Sequence, residues 1–204
     1  MVGQIRRLDF RLEVRPRKME GDIQMKGETD KAKVRRERED FFNKYCQGKG
    51  IDIGCGKDIL TAPNVQGWDK SDGDAQTMAG VGDNEYDYVY SSHCLEHVED
   101  AKIALRNWWR ILKPGGYLIL LLPHRDLYEK KKELPSRYNH THLRFFIVER
   151  DELPCTMGVI PLLNEILGNG FTIKYIKECD EGHTITNPLE HSDGEYSIEM
   201  VVKK

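Results

Sequence analysis

Three groups of residues have the types and spacing for chemistry. In "IDIGCGKD", residues 51–58, Ile51, Ile53, Asp52 and Asp58 surround the small residues Gly54, Cys55 and Gly56. A glycine turn leaving an apolar strand presents backbone N–H groups instead of side chains, so a bulky, nucleotide-like ligand can approach the chain closely. Asp69, in "GWDKSDGDA", ends the next apolar stretch, where a carboxylate can accept both hydroxyls of a ribose. Two charge-assisted hydrogen bonds of about 1.5–3 kcal/mol each would favour a free diol and reject a 2′-phosphate. The third group is "SSHCLEHV", residues 91–98, with His93 and His97, followed later by His124, His140 and His142. Imidazole, with a pKa near neutrality, is suited to take a proton from a hydroxyl.

Each group has a plainer reading. Glycine turns also serve packing, and a strand-end Asp commonly forms a turn or caps a helix. His97 can hydrogen-bond a neighbouring loop, and Glu96 can cap or orient the following helix.

The elements around these groups follow from periodicity. Phe10, Leu12 and Val14 alternate with charged residues and predict a short strand or hairpin, and a helix is expected from about Asp30 to Gln47, with Val34, Phe41, Phe42 and Tyr45 on its apolar face. From Gly50 onward strand and helix alternate, which implies parallel strands with crossovers. "VQGWD" (65–69) and "YDYVYSS" (86–92) read as strands, and "YLILLLP" (117–123) is apolar enough to require cover on both faces. Between the last two, Ile103, Ala104, Trp108, Ile111 and Leu112 form a helical stripe that Pro114-Gly115-Gly116 terminates. "VIPLLNEILGNGF" predicts a helix closed by Gly168 or Gly170, and the strands "FTIKYIKEC" and "YSIEMVVKK" follow. The polar stretch 180–195 between those strands can join them only as an antiparallel pair.

Composition narrows the class. A chain of 204 residues has room for one domain with a full core. With 31 basic and 34 acidic residues there is no cationic excess to attract a nucleic-acid backbone. Five widely spaced cysteines without a Cys-x-x-Cys pair indicate neither a disulfide frame nor a zinc knuckle and suit a reducing cytoplasm. No segment reads as a signal peptide or a membrane span.

Taken together, the motifs resemble those of class I S-adenosylmethionine-dependent methyltransferases, in the group that modifies small molecules, over roughly residues 40–204. "IDIGCGKD" is similar to the family's first motif, "GWD" to its ribose-binding motif, "GDAQTM" to its adenine segment, "YDYVYSSHCLEHV" to its fourth strand and active-site loop, and "LKPGGYLIL" to the turn into its fifth. The resemblance implies a Rossmann-like, doubly wound α/β sheet of seven strands with an antiparallel last strand. Residues 1–30 would form an N-terminal extension and residues 31–204 the methyltransferase domain. It further implies that Asp52, Gly54, Cys55 and Gly56 cradle the methionine and ribose portion of S-adenosylmethionine, that Asp69 takes the ribose hydroxyls with Lys70 beside it, and that Asp74 and Ala75 hold the adenine. Ser91, Ser92 and His93 would line the cofactor near its sulfonium. Two departures stand out: Asp58 replaces the usual glycine, and only 12 residues separate Gly56 from Asp69, with Pro63 among them. The first half of the sheet is therefore expected to be trimmed, and Asp58 to cap whatever short helix remains.

An activated sulfonium methyl needs mainly an acceptor held in line at about 3–3.5 Å and sheltered from water. His93 and His97 are the expected proton acceptors. The insertion "PHRDLYEKKKELPSRYNHTHLRFF" lies where the family builds its acceptor pocket, so Tyr128, Arg137, Tyr138, His140 and His142 are expected to bind the acceptor. Its "EKKKE" run reads as a solvated face. "HTH" would turn two imidazoles to one side of a strand without a third ligand, so no metal is expected. The Asn-Pro-Pro-aromatic signature of nucleobase and amide methylation is replaced by "SSHC", and the polar insertion is loosely similar to that of methyltransferases in glycan pathways. The acceptor is thus expected to be an oxygen or nitrogen of a small molecule, with a sugar or glycan precursor as one candidate. Two other readings stay open: a cofactor-binding scaffold without activity, and an NAD-dependent oxidoreductase. The latter lacks the third fingerprint glycine and a Tyr-x-x-x-Lys pair.

Overall fold

The computed structural model describes residues 28–204, so the alternation at Phe10–Val14 lies outside it. In chain order the elements are α1 Glu28–Arg38, α2 Phe41–Tyr45, β1 Gly50–Ile53, β2 Val65–Trp68, β3 Tyr86–Ser92, α3 Ala101–Ile111, β4 Leu112–Pro123, β5 Phe145–Ile147, β6 Thr156–Gly158, α4 Val159–Leu167, β7 Thr172–Cys179 and β8 Ser197–Lys203. A π-helical turn, Arg125–Glu129, follows β4. The main sheet has the order β2-β1-β3-β4-β8-β7, and β5 pairs with β6 apart from it. β1 runs parallel to β2 and β3, and β3 to β4, whereas β8 is antiparallel to both β4 and β7. This is the Rossmann-like α/β arrangement with its antiparallel last strand joined to β7 through residues 180–196.

Among the described residues the main sheet has six strands where seven were expected. The missing one would come from residues 69–85, which form successive turns with positive φ at Gly73 and Gly80. Helix α3 fastens that loop in place of sheet pairing: Trp108 Nε1 donates to the carbonyl of Ala75 (2.8 Å), Asn107 to that of Gln76 (3.0 Å) and Arg110 to that of Val81 (2.9 Å).

Two apolar layers sandwich the sheet. On one face Ile51, Ile53, Leu118, Leu120 and Leu122 pack with Leu105 and Trp108 of α3 and Leu162 and Leu163 of α4. On the other, Tyr88, Tyr90, Ile119 and Val201 meet Phe41 and Cys46. Every residue from Leu118 to Leu122 is buried, as two-sided cover requires.

Three local expectations change. Asp100, not Glu96, caps α3, its Oδ1 accepting from the amides of Lys102 (2.8 Å) and Ile103 (3.0 Å). That start sets the buried face at Ala101, Ala104, Leu105, Trp108 and Ile111 and leaves Ile103 partly exposed. The helix expected from Asp30 to Gln47 is two helices, because Asp40 takes a left-handed conformation with φ 57°. Finally, α1 exposes Val34 (65 %) and buries Arg35 and Arg36. Arg35 donates to Glu195 (2.8 Å) and Glu199 (2.6 Å), while Arg36 donates to Glu199 (2.6 Å) and to the hydroxyl of Tyr90 (3.0 Å). Glu199 of β8 and Glu195 just before that strand present carboxylates beneath α1, so the helix turns its guanidinium groups inward.

Candidate active site

The parallel strands β1, β2 and β3 end at one edge, and the glycine turn leaves β1 there. Gly54 adopts φ +78°, and a Cβ on it would lie 2.5 Å from Cys94 Sγ, so the conformation and the close approach both exclude a side chain. Its amide donates to the carbonyl of Trp68 at the end of β2 (2.8 Å), which ties the turn to Asp69. Asp69 gives its backbone to its own turn: its amide meets Asp72 Oδ2 (2.9 Å) and its carbonyl accepts from Asp72 (2.8 Å). The carboxylate remains for the cavity.

That cavity, of about 290 Å³, is lined by Gly54, Asp69, Lys70, Asp74, Ala75 and His97, among others. A smaller one of about 140 Å³ lies on the other side of Gly54, lined by Glu28, Thr29, Asp52, Cys55, Asp58, Ser92 and His93. Gly54 borders both, so a long ligand draped over the turn would occupy the two together. A larger cavity of about 460 Å³, running from His124 to Glu178, contains none of the residues expected to bind cofactor or acceptor, and of the candidate histidines it takes only His124.

The smaller cavity is acidic and unsatisfied. Asp52 accepts from the amide of Leu60 through Oδ2 (2.7 Å), but its buried Oδ1, like Asp58 Oδ2 and the hydroxyl oxygen of Ser92, has no partner among the described residues. Burial pushes the Asp52 carboxyl up to about 7, with Asp58 adding to the rise. Asp58 is itself raised by burial and by Asp30, although the Asp30 and Thr29 amides at the start of α1 offset part of this. Asp58 therefore faces α1, since residues 57–64 contain no helix for it to cap. Unpaired carboxylates suit a ligand with an ammonium group. They would repel the pyrophosphate of a dinucleotide, which argues against NAD.

Beside this cavity an arc of aromatic rings encloses Glu96. His93 stacks edge-on to Tyr196 (6.0 Å between centroids), Tyr196 meets Tyr128 (4.9 Å), Tyr128 meets His142 (5.5 Å) and His142 meets His97 (4.8 Å). Glu96 is fully buried at the centre, and burial pushes its carboxyl up to about 8. His93 adopts φ +48°, rare for a side chain with a Cβ and common at functional sites. Its Nε2 pairs with Ser197 Oγ (2.8 Å), and burial lowers its pKa to about 4 despite the carboxylate of Glu28 at 4.0 Å, so the ring is neutral near pH 7. Burial lowers His97 as well, with His142 contributing.

Nine of the eleven expected cofactor residues line the two cavities; of the other two, Gly56 is exposed in the turn. Ser91 lies behind it, lining neither cavity, and its hydroxyl donates to the carbonyl of Ile53 (2.9 Å). Of the expected acceptor residues, Tyr128 and His142 belong to the arc, and Tyr138 packs on Tyr128 (5.8 Å) while its hydroxyl donates to the carbonyl of Glu190 (2.6 Å). Arg137 and His140 are exposed. Sequence reasoning missed Glu28, Thr29, Glu129 and Tyr196, which adjoin the site only through the tertiary fold. It also gave Glu96 a capping role. The consecutive Glu96-His97 pair after a strand end was the one local signal.

An open, mainly parallel sheet with a glycine turn and a strand-end acid at its carboxyl edge defines the class of Rossmann-like proteins that bind an adenosyl group at that edge. The chain belongs to the family described as Methyltransferase domain, whose model matches residues 25–152. It is 39% identical over 57 residues to the ubiquinone/menaquinone biosynthesis C-methyltransferase UbiE of Vibrio cholerae serotype O1, a match spanning 28% of this chain and 22% of that enzyme. Two solved structures share the fold: a SAM-dependent methyltransferase from Archaeoglobus fulgidus (TM-score 0.53, 17% identity, 87% of this chain and 95% of that one) and another from Aquifex aeolicus (TM-score 0.51, 13% identity, 85% and 89%). The chain is thus a member of a methyltransferase family, and the acidic cavity suits a cofactor that carries a sulfonium and an ammonium.

Proposed function

We propose that the protein transfers the methyl group of S-adenosylmethionine to an oxygen or nitrogen of a small molecule held inside the aromatic arc. The observation that carries this reading is the meeting of two cavities at Gly54 beside an arc of aromatic rings that includes the neutral imidazole of His93. Asp69 accepts the ribose hydroxyls, Lys70 lies beside it, and Asp74 and Ala75 hold the adenine. Asp52 and Asp58 receive the ammonium of the methionine portion, with Gly54, Cys55, Gly56 and Ser92 forming the floor. Ser91 acts from behind by bracing the Ile53 carbonyl under the turn.

His93 or His97 takes the acceptor's proton, as each is neutral and partly accessible, and Tyr128 and His142 form the wall against which the acceptor lies. A hydroxylated ring, such as that of a sugar, would stack on Tyr128 and direct a hydroxyl toward these imidazoles. Arg137, Tyr138 and His140 would contact only the outer part of a larger acceptor. The short match to a carbon-methylating relative covers too little of that enzyme to extend its acceptor to this chain.

Calorimetric titration with S-adenosylhomocysteine and with NAD tests the cofactor assignment. Only the first should bind, and Asp69→Ala should weaken it about tenfold or more, as expected for the loss of charge-assisted hydrogen bonds. Unchanged affinity in the variant would remove Asp69 from the ribose. Incubation with methyl-labelled cofactor and a panel of hydroxyl and amine metabolites tests the acceptor, and label appearing solely on carbon would exclude the proposed class.

A further inference from the structure

Methyl transfer leaves Glu96 unexplained. Its carboxylate is fully buried, and neither oxygen has a hydrogen-bond partner among the described residues. His97 Nε2 and His142 Nε2 nevertheless lie 3.7 and 3.9 Å from its Oε1. The far side of each ring fixes its tautomer. His97 Nδ1 faces the carbonyl of Thr141 (3.2 Å) and its Oγ1 (3.0 Å), whose own proton goes to Asn139 Oδ1 (2.6 Å). His142 Nδ1 faces the carboxylate of Glu129 (2.7 Å), which the hydroxyl of Ser136 steadies (2.8 Å). Both Nδ1 atoms are therefore donors, and both Nε2 atoms turn toward an unpaired carboxylate. In neutral rings that sets two lone pairs against a carboxylate, an arrangement stable only with a proton or a metal cation among them.

From this convergence we infer that Glu96, His97 and His142 form a binding site for one divalent transition-metal ion, with zinc as its representative. Their ligating atoms lie within 4.8 Å of one another, so small side-chain rotations would bring them to bonds of about 2.0–2.2 Å. Two imidazoles and one carboxylate favour zinc, manganese, iron or cobalt over magnesium or calcium, which prefer all-oxygen sets. The Glu129–His142 pair is the outer carboxylate that orients a metal-binding imidazole. No metal was expected from "HTH", whose two imidazoles were expected on one side of a strand; His140 is exposed instead, His142 is buried, and the partners of His142 come from the loop after β3. His97 also lines the larger cofactor cavity, so the ion would sit where acceptor and cofactor meet. Three protein ligands leave a position at which an acceptor oxygen could bind and lose its proton more readily, with His93 as the base because the ion would occupy the Nε2 of His97. That role rests on the proposed function; the binding of the ion does not.

The test is a titration of untagged, chelator-treated protein with Zn²⁺ by calorimetry and with Co²⁺ by visible absorption, Mg²⁺ serving as control. One equivalent of Zn²⁺ should bind, Co²⁺ should give the absorption of a low-coordinate site, and Mg²⁺ should compete weakly. His97→Ala and His142→Ala should abolish binding, and Glu129→Gln should weaken it about 10–100-fold. Circular dichroism and S-adenosylhomocysteine binding of His142→Ala report that the variant is folded. Absence of Zn²⁺ and Co²⁺ binding to folded wild-type protein, or binding that survives both histidine substitutions, would overturn the site. If Zn²⁺ binds but S-adenosylhomocysteine does not, the cofactor assignment fails and the metal site stands.

Discussion

Asp52 links burial to both ligand and stability. Its carboxyl titrates near 7 in the folded protein and near 3.9 in an unfolded chain, so between these values the folded state holds a proton that the unfolded state has released. By linkage the ligand-free protein loses stability as pH rises from about 4 to 7. Glu96, raised by burial to about 8, adds a loss of the same sign that extends higher. The diagnostic is therefore a difference: Asp52→Asn should flatten the fall in urea midpoint between pH 4 and 7 relative to wild type. Parallel pH profiles for the two proteins would show that Asp52 ionises normally. Gly54 permits a second prediction. Gly54→Ala should destabilise by about 2–4 kcal/mol, since it adds a left-handed non-glycine conformation to a contact with Cys94. Cys94→Ala in the same chain should recover only the contact part, measured by denaturant unfolding of the single and double variants.

At the scale of elements, α1 depends on charges rather than on an apolar stripe. Glu199 on β8 is fully buried and accepts from both Arg35 and Arg36, and Glu195, Tyr175 and Glu39 take the remaining bonds of Arg35. Removing one member strands the others in a low-dielectric site, so Glu199→Ala should destabilise by about 3–5 kcal/mol in chemical denaturation. Adding Arg36→Met to it should cost less than the sum of the single effects, because the second change removes a charge already left unpaired. A strictly additive result would mean that the arginines find water instead. The same network explains why α1 was misread. Periodicity detects apolar faces, and Arg35 and Arg36 carry no such signal when their partners lie 160 and 163 residues away. Helix α3 was legible because Ala104, Trp108 and Ile111 recur on its buried face, although its cap, Asp100, was not. Strands β3 and β4 were legible for the same reason.

For the molecule as a whole, what was legible in the site is what the ends of parallel strands deliver. Gly54, Asp69 and His93 each follow a strand that ends at the same edge, and such residues can be recognised one segment at a time. Tyr196 and Ser197 reach that edge because β8 runs the other way and starts where β4 ends, Ser197 pairing with Pro123. Glu28 reaches it because the Arg35 and Arg36 network fixes the far end of α1 on β8, and Glu129 because a π-helical turn follows β4 directly. None of these placements has a local signature. They predict a concerted response to ligand, since the cofactor would touch α1, the turn after β1 and the loop after β2 at once. In hydrogen–deuterium exchange, S-adenosylhomocysteine should protect the first turn of α1, residues 54–58 and residues 69–76 together. The connection 180–195 should be unaffected by the cofactor alone, because Lys130 already holds it through the carbonyls of Ile185 (2.6 Å), Asn187 (3.2 Å) and Glu190 (3.1 Å). Protection confined to 69–76 would place the cofactor in the larger cavity only, and the acids around Asp52 would then need a different cation.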